Sequence, residues 1–238
     1  MLPELILTEE EKLDYARLVF AGGFAAILGF LFAQFLFPSQ RFILAPVFAA
    51  IPLIYPLMSY YLEREESPDF IQETSVYASL FIGITAGFFS ISLVMPEIFS
   101  MQLELIGITG YATANVSLFS ILSNNMMVFT GILLVSFLLG SAGAFILVWN
   151  ASVLGAFFAY LVNDLSAPQA ILSGSSPLAY LPHASLEMTG FIIAGVLGTT
   201  ASASVYRDHW SMSHWKNLAR LLVVGVVAIL AGAIIETA

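Results

Sequence analysis

The sequence predicts an all-α membrane protein, a single bundle of about seven transmembrane helices with a cytoplasmic N-terminus. The 238 residues are 59% hydrophobic and only 10% charged, whereas soluble domains carry roughly 25% charged residues. The mean hydropathy is +0.93. Apolar runs of about 20 residues, the length that a bilayer requires, recur along the chain. No change of composition separates a second unit, so we treat residues 1–238 as one membrane domain.

Seven segments have the length and composition of a spanning helix: Leu18–Phe37, Phe42–Tyr61, Ser75–Met95, Ser117–Leu139, Gly143–Val162, His183–Tyr206 and Leu218–Ile235. The fourth and fifth could instead be divided at Asn150. That division would leave a piece of about 13 residues, which is too short to cross. Glycine ends helices at little cost, so we expect the break at Gly140–Gly143.

Positive charge predicts the orientation, because Lys and Arg favour cytoplasmic loops. With seven crossings, one side carries Lys12, Arg17, Arg64, Arg207, Lys216 and Arg220, and the other carries Arg41. The N-terminus is then cytoplasmic, the C-terminus external, and the protein a multi-pass protein of the cell membrane.

The net charge of −9 comes mainly from two polar segments, Glu9–Asp14 and Glu63–Glu73, which we expect to be solvated. Such acidic segments argue against nucleic acid or anionic lipid as a partner. The lipid bilayer and other membrane proteins are the expected partners. The chain has no cysteine, which excludes a thiolate metal site.

Small residues recur at every fourth position in several segments, including Ala25, Gly29 and Ala33 in the first and Gly83 and Gly87 in the third. Such patterns let helix backbones approach closely. They serve either packing within one protomer or the seam of a homodimer, and the sequence leaves both open.

The start of the sixth segment is the most informative stretch. It places Pro182 at the expected first helical position, with His183 and Glu187 one turn apart on one face. Ionisable side chains near lipid usually have a function. The first interpretation is contact with a ligand, an ion or a partner, and the second is a structural pair at a helix start.

Three asparagines lie within predicted spans: Asn124 and Asn125 in the fourth and Asn150 in the fifth. Lipid offers no partner for an amide. The first interpretation of these asparagines is that they bridge helices and satisfy backbone carbonyls that kinks leave free. The second is that Asn124, Asn125 and Asn150 line a polar pocket with His183 and Glu187 near the outer leaflet.

His183 and Glu187 are also candidate metal ligands, since residues at i and i+4 can face one ion. The metalloprotease pattern His-Glu-x-x-His is absent, and the predicted topology places His209 and His214 across the membrane. Asparagine oxygens would suit a hard cation. The metal and any cofactor are therefore unknown at this point.

Four motifs in order resemble the stage II sporulation protein M family of integral membrane proteins. They are Ile121-Leu-Ser-Asn-Asn125, Gly140, Trp149-Asn150 with Gly155, and Leu181-Pro-His-Ala-Ser-Leu-Glu187. The family has a paired asparagine, a glycine, an Asn-Gly, and a Pro-His-Gly…Glu stretch that opens a late helix. The resemblance covers Ser117–Gly198. Ala151 and Ala184 stand where the family has glycine. Alanine keeps the helices packed, but its methyl group limits any role that needs another group to approach the backbone closely.

The resemblance implies a membrane scaffold, because the founding members hold peptidoglycan-degrading partners during engulfment in spore formation. Relatives in organisms that form no spores, archaea included, imply a shared membrane core rather than a shared process. On this view the apolar loop Pro96–Val116 could lie on the membrane surface and bind a partner helix.

Two other classes of function stay open. A transporter or channel component would use the buried polar residues as its pathway, although the fifth segment is wholly apolar below Asn150. An intramembrane enzyme would use Glu187 as a base, His183 as an acid or ligand, and asparagine amides as oxyanion donors. For the enzyme the sequence suggests no second carboxylate. Scaffold ranks first, transporter second and enzyme third.

Overall fold

The computed structural model describes residues 14–63, 69–97, 117–164, 177–207 and 211–237. These residues form seven α-helices and one 3-10 turn, Gly140–Gly143. The helices are α1 Tyr15–Leu36, α2 Arg41–Glu63, α3 Phe70–Val94, α4 Leu118–Leu139, α5 Ala144–Asp164, α6 Pro177–Tyr206 and α7 Met212–Thr237. The predicted loop Pro96–Val116 lies outside the described residues from position 98 onwards.

Three helices begin at a side chain that caps their first turn. Asp14 precedes α1, Asp69 precedes α3 and Ser117 precedes α4, and each side chain accepts hydrogen bonds from backbone N–H groups two or three residues later. These N–H groups have no partner inside the helix. The caps therefore set where these helices begin.

Within the described residues, six stretches are long and apolar enough to cross a membrane, judged by length and composition. One of them, Leu118–Asn163, includes both α4 and α5. Large apolar side chains such as Phe20, Phe24 and Phe35 stand on the outside of the bundle, as expected for helices that face lipid. The fold fits a multi-pass helical membrane protein.

The chain breaks between α4 and α5 at the glycines that the sequence indicated. Gly140 has a φ of 67°, a left-handed value that glycine adopts without steric cost. A Cβ at Gly140 would also lie 2.7 Å from Met58 Sδ of α2. The Ser141 hydroxyl donates to the Ile54 carbonyl of α2 at 2.5 Å. The turn is therefore fixed by its own backbone and by α2.

From this turn α4 and α5 diverge into different parts of the bundle. They touch near the turn, where Gly131 lies beside Ile146. Beyond it, α5 packs mainly against α3, whereas α4 packs mainly against α6 and α7. We call the end of the bundle at this turn the Gly140 end and the opposite end the Glu187 end.

The small residues of α1 and α3 pack against each other within the protomer. A Cβ at Gly83 would collide with the Val19 carbonyl, and one at Gly87 would lie 2.9 Å from the Gly23 carbonyl. On its other side α1 meets α2, where a Cβ at Gly29 would lie 2.6 Å from the Ala45 carbonyl. These faces are covered inside one chain, so they do not provide the seam of a homodimer.

The first residue of α3 corrects one prediction. We expected the acidic segment Glu63–Glu73 to be solvated, yet α3 begins at Phe70 and the Glu73 side chain is only 2% exposed. Because Asp69 caps the helix, Glu73 lies in its first turn and faces α6. The expectation of solvation is wrong for Glu73.

The central helix is α6, in which every residue from 190 to 200 is buried. It begins earlier than predicted, at Pro177, so Pro182 lies inside the helix and not at its first position. The prediction for Pro182 is therefore wrong. Pro177 takes that position, where the missing N–H would have no partner within the helix anyway.

Candidate functional site

The Glu187 end holds the polar contact that is central to the candidate site. Asn125 of α4 is 7% exposed, and its Nδ2 donates to Glu187 Oε1 of α6 at 2.6 Å. The two helices run in the same direction here, since Ser136 of α4 lies against Gly198 of α6 further along. The structure thus brings together two of the predicted residues, and we call this contact the Asn125–Glu187 site.

Asn124 lies beside this site but on the exposed side of α4. Its Nδ2 is 3.4 Å from Asn125 Oδ1, a long contact for an amide hydrogen bond. Successive residues of a helix point about 100° apart, so Asn124 and Asn125 cannot both face α6. Asn124 therefore stands at the edge of the site.

Glu236 is a member of the site that the sequence reasoning missed. Gly232 lets the α7 backbone pack closely against the Glu187 side chain, since a Cβ there would lie 2.7 Å from Glu187 Cγ. One turn later, the exposed Glu236 side chain lies close enough to the Glu187 carboxyl to interact with it. The suggestion that a second carboxylate is lacking is therefore wrong. A lone acidic residue after the last apolar run gave no pattern that pointed to Glu187.

His183 lies one turn before Glu187, on the same side of α6. A Cβ at Gly232 would come within 3.2 Å of the His183 carbonyl, and Glu236 is within electrostatic reach of the imidazole. In the part of the chain that the structure describes, no three or more His, Cys, Asp or Glu side chains are arranged to hold a metal ion. His183 and Glu187 as metal ligands therefore stay a prediction.

The Asn150 amide forms a hydrogen bond within its own helix. Its Nδ2 donates to the Ile146 carbonyl, one turn back on α5, at 2.7 Å. This contact satisfies the amide locally, as hydrogen-bonding side chains within helices often do. This hydrogen bond does not join Asn150 to Asn125 or Glu187, and its place in a common pocket stays a prediction.

A second group of polar side chains occupies the Gly140 end, and we call it the Glu73 cluster. It contains Glu73, Tyr77, Thr199, Thr200, Ser204 and His214. Thr200 Oγ1 donates to Glu73 Oε2 at 3.0 Å. The hydroxyls of Tyr77 and Thr199 are 2.8 Å apart. These contacts join α3 to α6.

The same cluster also joins α6 to α7. Ser204 Oγ donates to the Thr200 carbonyl at 2.8 Å and lies 2.7 Å from His214 Nε2. Because a hydroxyl has one proton, His214 Nε2 must be the donor to Ser204. The sequence reasoning missed this cluster, although Glu73 and Tyr77 at i and i+4 and the hydroxyl-rich run Thr199–Ser204 were signals for it.

The two polar groups are separated along the central helix. From Gly190 to Gly198, α6 carries only apolar side chains and glycines, all of them buried. Glu187 and Thr199 are twelve positions apart, which corresponds to roughly 18 Å at 1.5 Å per residue. On α6, no polar side chain links the two ends. Each group joins neighbouring helices at its own end of the bundle.

A family model described as Stage II sporulation protein M matches residues 76–238, which is more than half of the chain. The chain belongs to the stage II sporulation protein M family. The family region runs from α3 to the end of α7, so it includes Asn125, His183, Glu187 and Glu236 but not Glu73 or the α1–α2 hairpin. Comparison with curated proteins and with solved structures gave no match.

Proposed function

We propose that this member of the stage II sporulation protein M family is a scaffold of the cell membrane that holds partner membrane proteins. The observation that carries the proposal is the direct Asn125–Glu187 hydrogen bond of 2.6 Å. A side chain that waits for a substrate presents open donors or acceptors, whereas these two groups bond each other and join α4 to α6. The polar site then acts mainly as a brace that keeps one shape of the bundle.

The arrangement of the helix ends supports seven crossings. At the Gly140 end, α2 contacts the ends of α4 and α6 through Ser141–Ile54 and Arg207–Tyr61. At the same end, α6 contacts the beginnings of α3 and α7 through Thr200–Glu73 and Ser204–His214. Successive helices therefore alternate in direction, as they do in a seven-helix protein whose termini lie on opposite sides.

Charge supports a cytoplasmic N-terminus in this arrangement. Among the described residues, the Gly140 end carries Arg17, Arg207, Lys216 and Arg220, and the Glu187 end carries Arg41, which bonds Gln34 at 2.8 Å. Positive charge favours the cytoplasmic side. The Asn125–Glu187 site then lies near the outer leaflet and the Glu73 cluster near the inner one.

Transport ranks below a scaffold because of the apolar middle of α6. A permeating ion needs partners along its route. From Gly190 to Gly198 the central helix offers only buried apolar side chains and glycines.

The scaffold proposal is tested by site-specific photocrosslinking in host cells. A photoreactive phenylalanine replaces Phe24, which is 62% exposed, and separately Phe129, which is 2% exposed and serves as the matched control. A third variant carries it at Phe99 in the apolar loop. We expect a discrete protein adduct from Phe24 or Phe99 and none from Phe129. Lack of any adduct at both test positions would contradict the scaffold, as would ion or solute flux in proteoliposomes that Glu187→Gln abolishes.

An intramembrane enzyme is the second candidate, and Glu236 is the observation that favours it. A pair of carboxyl groups can divide acid and base roles, with His183 close by. Under this alternative, Glu187→Gln and Glu236→Gln would abolish the cellular phenotype of the gene while leaving the protein adducts intact. Under the scaffold proposal, a variant that loses the cellular phenotype should also lose the protein adducts.

A further inference from the structure

We propose that two copies of this chain pair in the membrane through the exposed face of α4. This face lies opposite the buried residues of α4, which pack against the rest of the bundle. Its six residues follow one another at alternating intervals of three and four positions, and all are exposed. We call them the α4 seam: Ser120, Ser123, Met127, Thr130, Leu134 and Phe137. The proposal concerns the chain alone and does not rest on the scaffold role.

Two hydroxyl groups of the α4 seam lie well inside the span. Ser123 and Thr130 follow Leu118, the first residue of α4, by five and twelve positions, which correspond to about 8 and 18 Å along the helix. Neither hydroxyl has a hydrogen-bond partner among the residues that the structure describes. Lipid tails offer none either. The seam therefore requires a surface that supplies polar groups at these depths.

Exposed hydroxyls on other helices are satisfied within their own helix. Ser90 of α3 donates to the Ala86 carbonyl at 2.8 Å, and Thr189 of α6 donates to the Ser185 carbonyl at 2.7 Å. Such bonds to the carbonyl one turn back are common for serine and threonine in membrane helices. The Ser123 and Thr130 hydroxyls differ from them, because they are left to bond a group outside the chain.

A second copy of the chain supplies polar groups at the required depths. All copies have the same orientation in a bilayer, so a twofold axis along the membrane normal places equal residues at equal depth. Ser123 and Thr130 then lie close to the same residues of the second copy. A hydroxyl both donates and accepts, so equal residues can bond each other. The seam carries no charge that would make two copies repel.

The spacing of the α4 seam fits a pair of parallel helices. Alternating intervals of three and four give a mean period of 3.5 residues, which keeps one face in contact along a left-handed helix pair. Met127, Leu134 and Phe137 add van der Waals contact, which contributes to helix association in membranes. Asn124 lies to one side of the seam, where its amide contacts Asn125.

Lipid headgroups and ions fit the seam less well than a second copy does. Headgroups stay at the surface of the bilayer, whereas Thr130 lies about 18 Å along α4, near the middle of a hydrocarbon core of about 30 Å. An ion inside the membrane needs charged or closely grouped polar partners, and the seam offers isolated neutral hydroxyls.

Oxidative crosslinking in native membranes tests the seam, because the chain has no cysteine of its own. We expect Ser123→Cys and Thr130→Cys, each as a single variant, to give a disulfide-linked adduct with the mass of two chains. Val223→Cys is the matched control and should give little adduct, since Val223 is 61% exposed and lies near the middle of α7. Lack of an adduct at both seam positions, or an equal amount from Val223→Cys, would overturn the proposal.

Photocrosslinking identifies the occupant without need of a second thiol. A photoreactive phenylalanine in place of Met127, which is 71% exposed, reacts with whatever covers the seam. An adduct of two copies of this chain supports the proposal. An adduct with a different protein, in the absence of the two-chain adduct, would show that another membrane protein covers the seam and would overturn it.

Energy transfer between labelled copies in vesicles of increasing lipid content measures the strength of pairing. Ser123→Ala with Thr130→Val removes both hydroxyls and should raise the dissociation constant by roughly three- to tenfold for each hydroxyl. Thr189→Val is the control and should leave it unchanged, because that hydroxyl bonds its own helix. A dissociation constant that the double variant leaves unchanged, or that Thr189→Val raises as much, would contradict pairing through these hydroxyls.

Discussion

Asn125 of α4 and Glu187 of α6, 62 residues apart in the chain, are joined by a hydrogen bond of 2.6 Å inside the bundle. A carboxylate that is partly removed from water is stabilised when a donor bonds it. The bond therefore fixes how α4 and α6 stand relative to each other at the Glu187 end. It is also the contact whose removal gives the most direct measure of the brace.

Asn125→Leu should destabilise the protein by about 1–3 kcal/mol, because it leaves the half-buried Glu187 carboxyl without this donor. The free energy of unfolding in mixed detergent micelles measures this loss. Asn124→Leu is the matched control, since Asn124 is exposed and makes only a long amide contact; it should change the stability by less than about 0.5 kcal/mol. Equal losses from the two variants would contradict the brace.

Asn150→Leu should be nearly neutral, within about 0.5 kcal/mol in the same assay. The Asn150 amide bonds a carbonyl of its own helix, and that carbonyl keeps its backbone partner when the side chain is removed. A loss as large as that of Asn125→Leu would instead place Asn150 in the shared polar site.

Gly83→Ala should destabilise the α1–α3 contact by about 1–3 kcal/mol, the usual cost of overpacking. The new methyl group would collide with the Val19 carbonyl, which is rigid backbone. Gly131→Ala is the control, because its nearest contact would be a side-chain atom of Ile146 at 3.7 Å. That variant should be neutral or gain up to about 1 kcal/mol of helix propensity. Thermal unfolding of the solubilised protein decides between the outcomes, and a neutral Gly83→Ala would be incompatible with this packing.

Thr200→Val should cost about 1–3 kcal/mol, because it removes the donor to the buried Glu73 carboxyl. Thr189→Val is its control within the same helix, since the Thr189 hydroxyl is exposed and bonds the Ser185 carbonyl one turn back. Detergent unfolding of both variants measures the difference. If both variants lose the same stability, the Glu73 cluster does not join α3 to α6 as described.

Single cysteines test the seven-crossing topology. Ser39 lies in the turn between α1 and α2, and Ser213 lies near the start of α7; both are exposed. In intact cells a membrane-impermeant maleimide should label Ser39→Cys and should reach Ser213→Cys only after permeabilisation. If both cysteines were labelled without permeabilisation, positions 39 and 213 would lie on the same side of the membrane. The helices α2 to α6 could then not cross it an odd number of times, as the proposed topology requires.

The sequence predicted the helices better than their ends. The apolar runs gave the positions of the helices because the thickness of a bilayer sets their length, and Gly140 marked the break because its conformation needs glycine. The starts of α3 and α6 were placed too late, at Ser75 and His183, since helices continue past the apolar run into polar residues such as Glu73. Hydropathy alone does not register such extensions.

The site was predictable only in part. Asn125 and Glu187 stood out because both are polar residues within apolar helices and both were predicted at a similar depth in the membrane. Glu236 did not, because a lone acidic residue after an apolar run resembles a solvated helix end until α7 is packed against α6. Asn150 shows the converse: an asparagine can satisfy its amide on its own helix, and the sequence does not distinguish this from a bond to a neighbour.

The divergence of α4 and α5 from the Gly140–Gly143 turn affects biosynthesis. The main partners of α4 are α6 and α7, both of which leave the ribosome later, so Asn125 enters the bilayer before its acceptor exists. At about 5–20 residues per second, the 62 residues between Asn125 and Glu187 correspond to roughly 3–12 s. During that interval the amide must be satisfied by the insertion machinery or by water, because lipid offers it no partner.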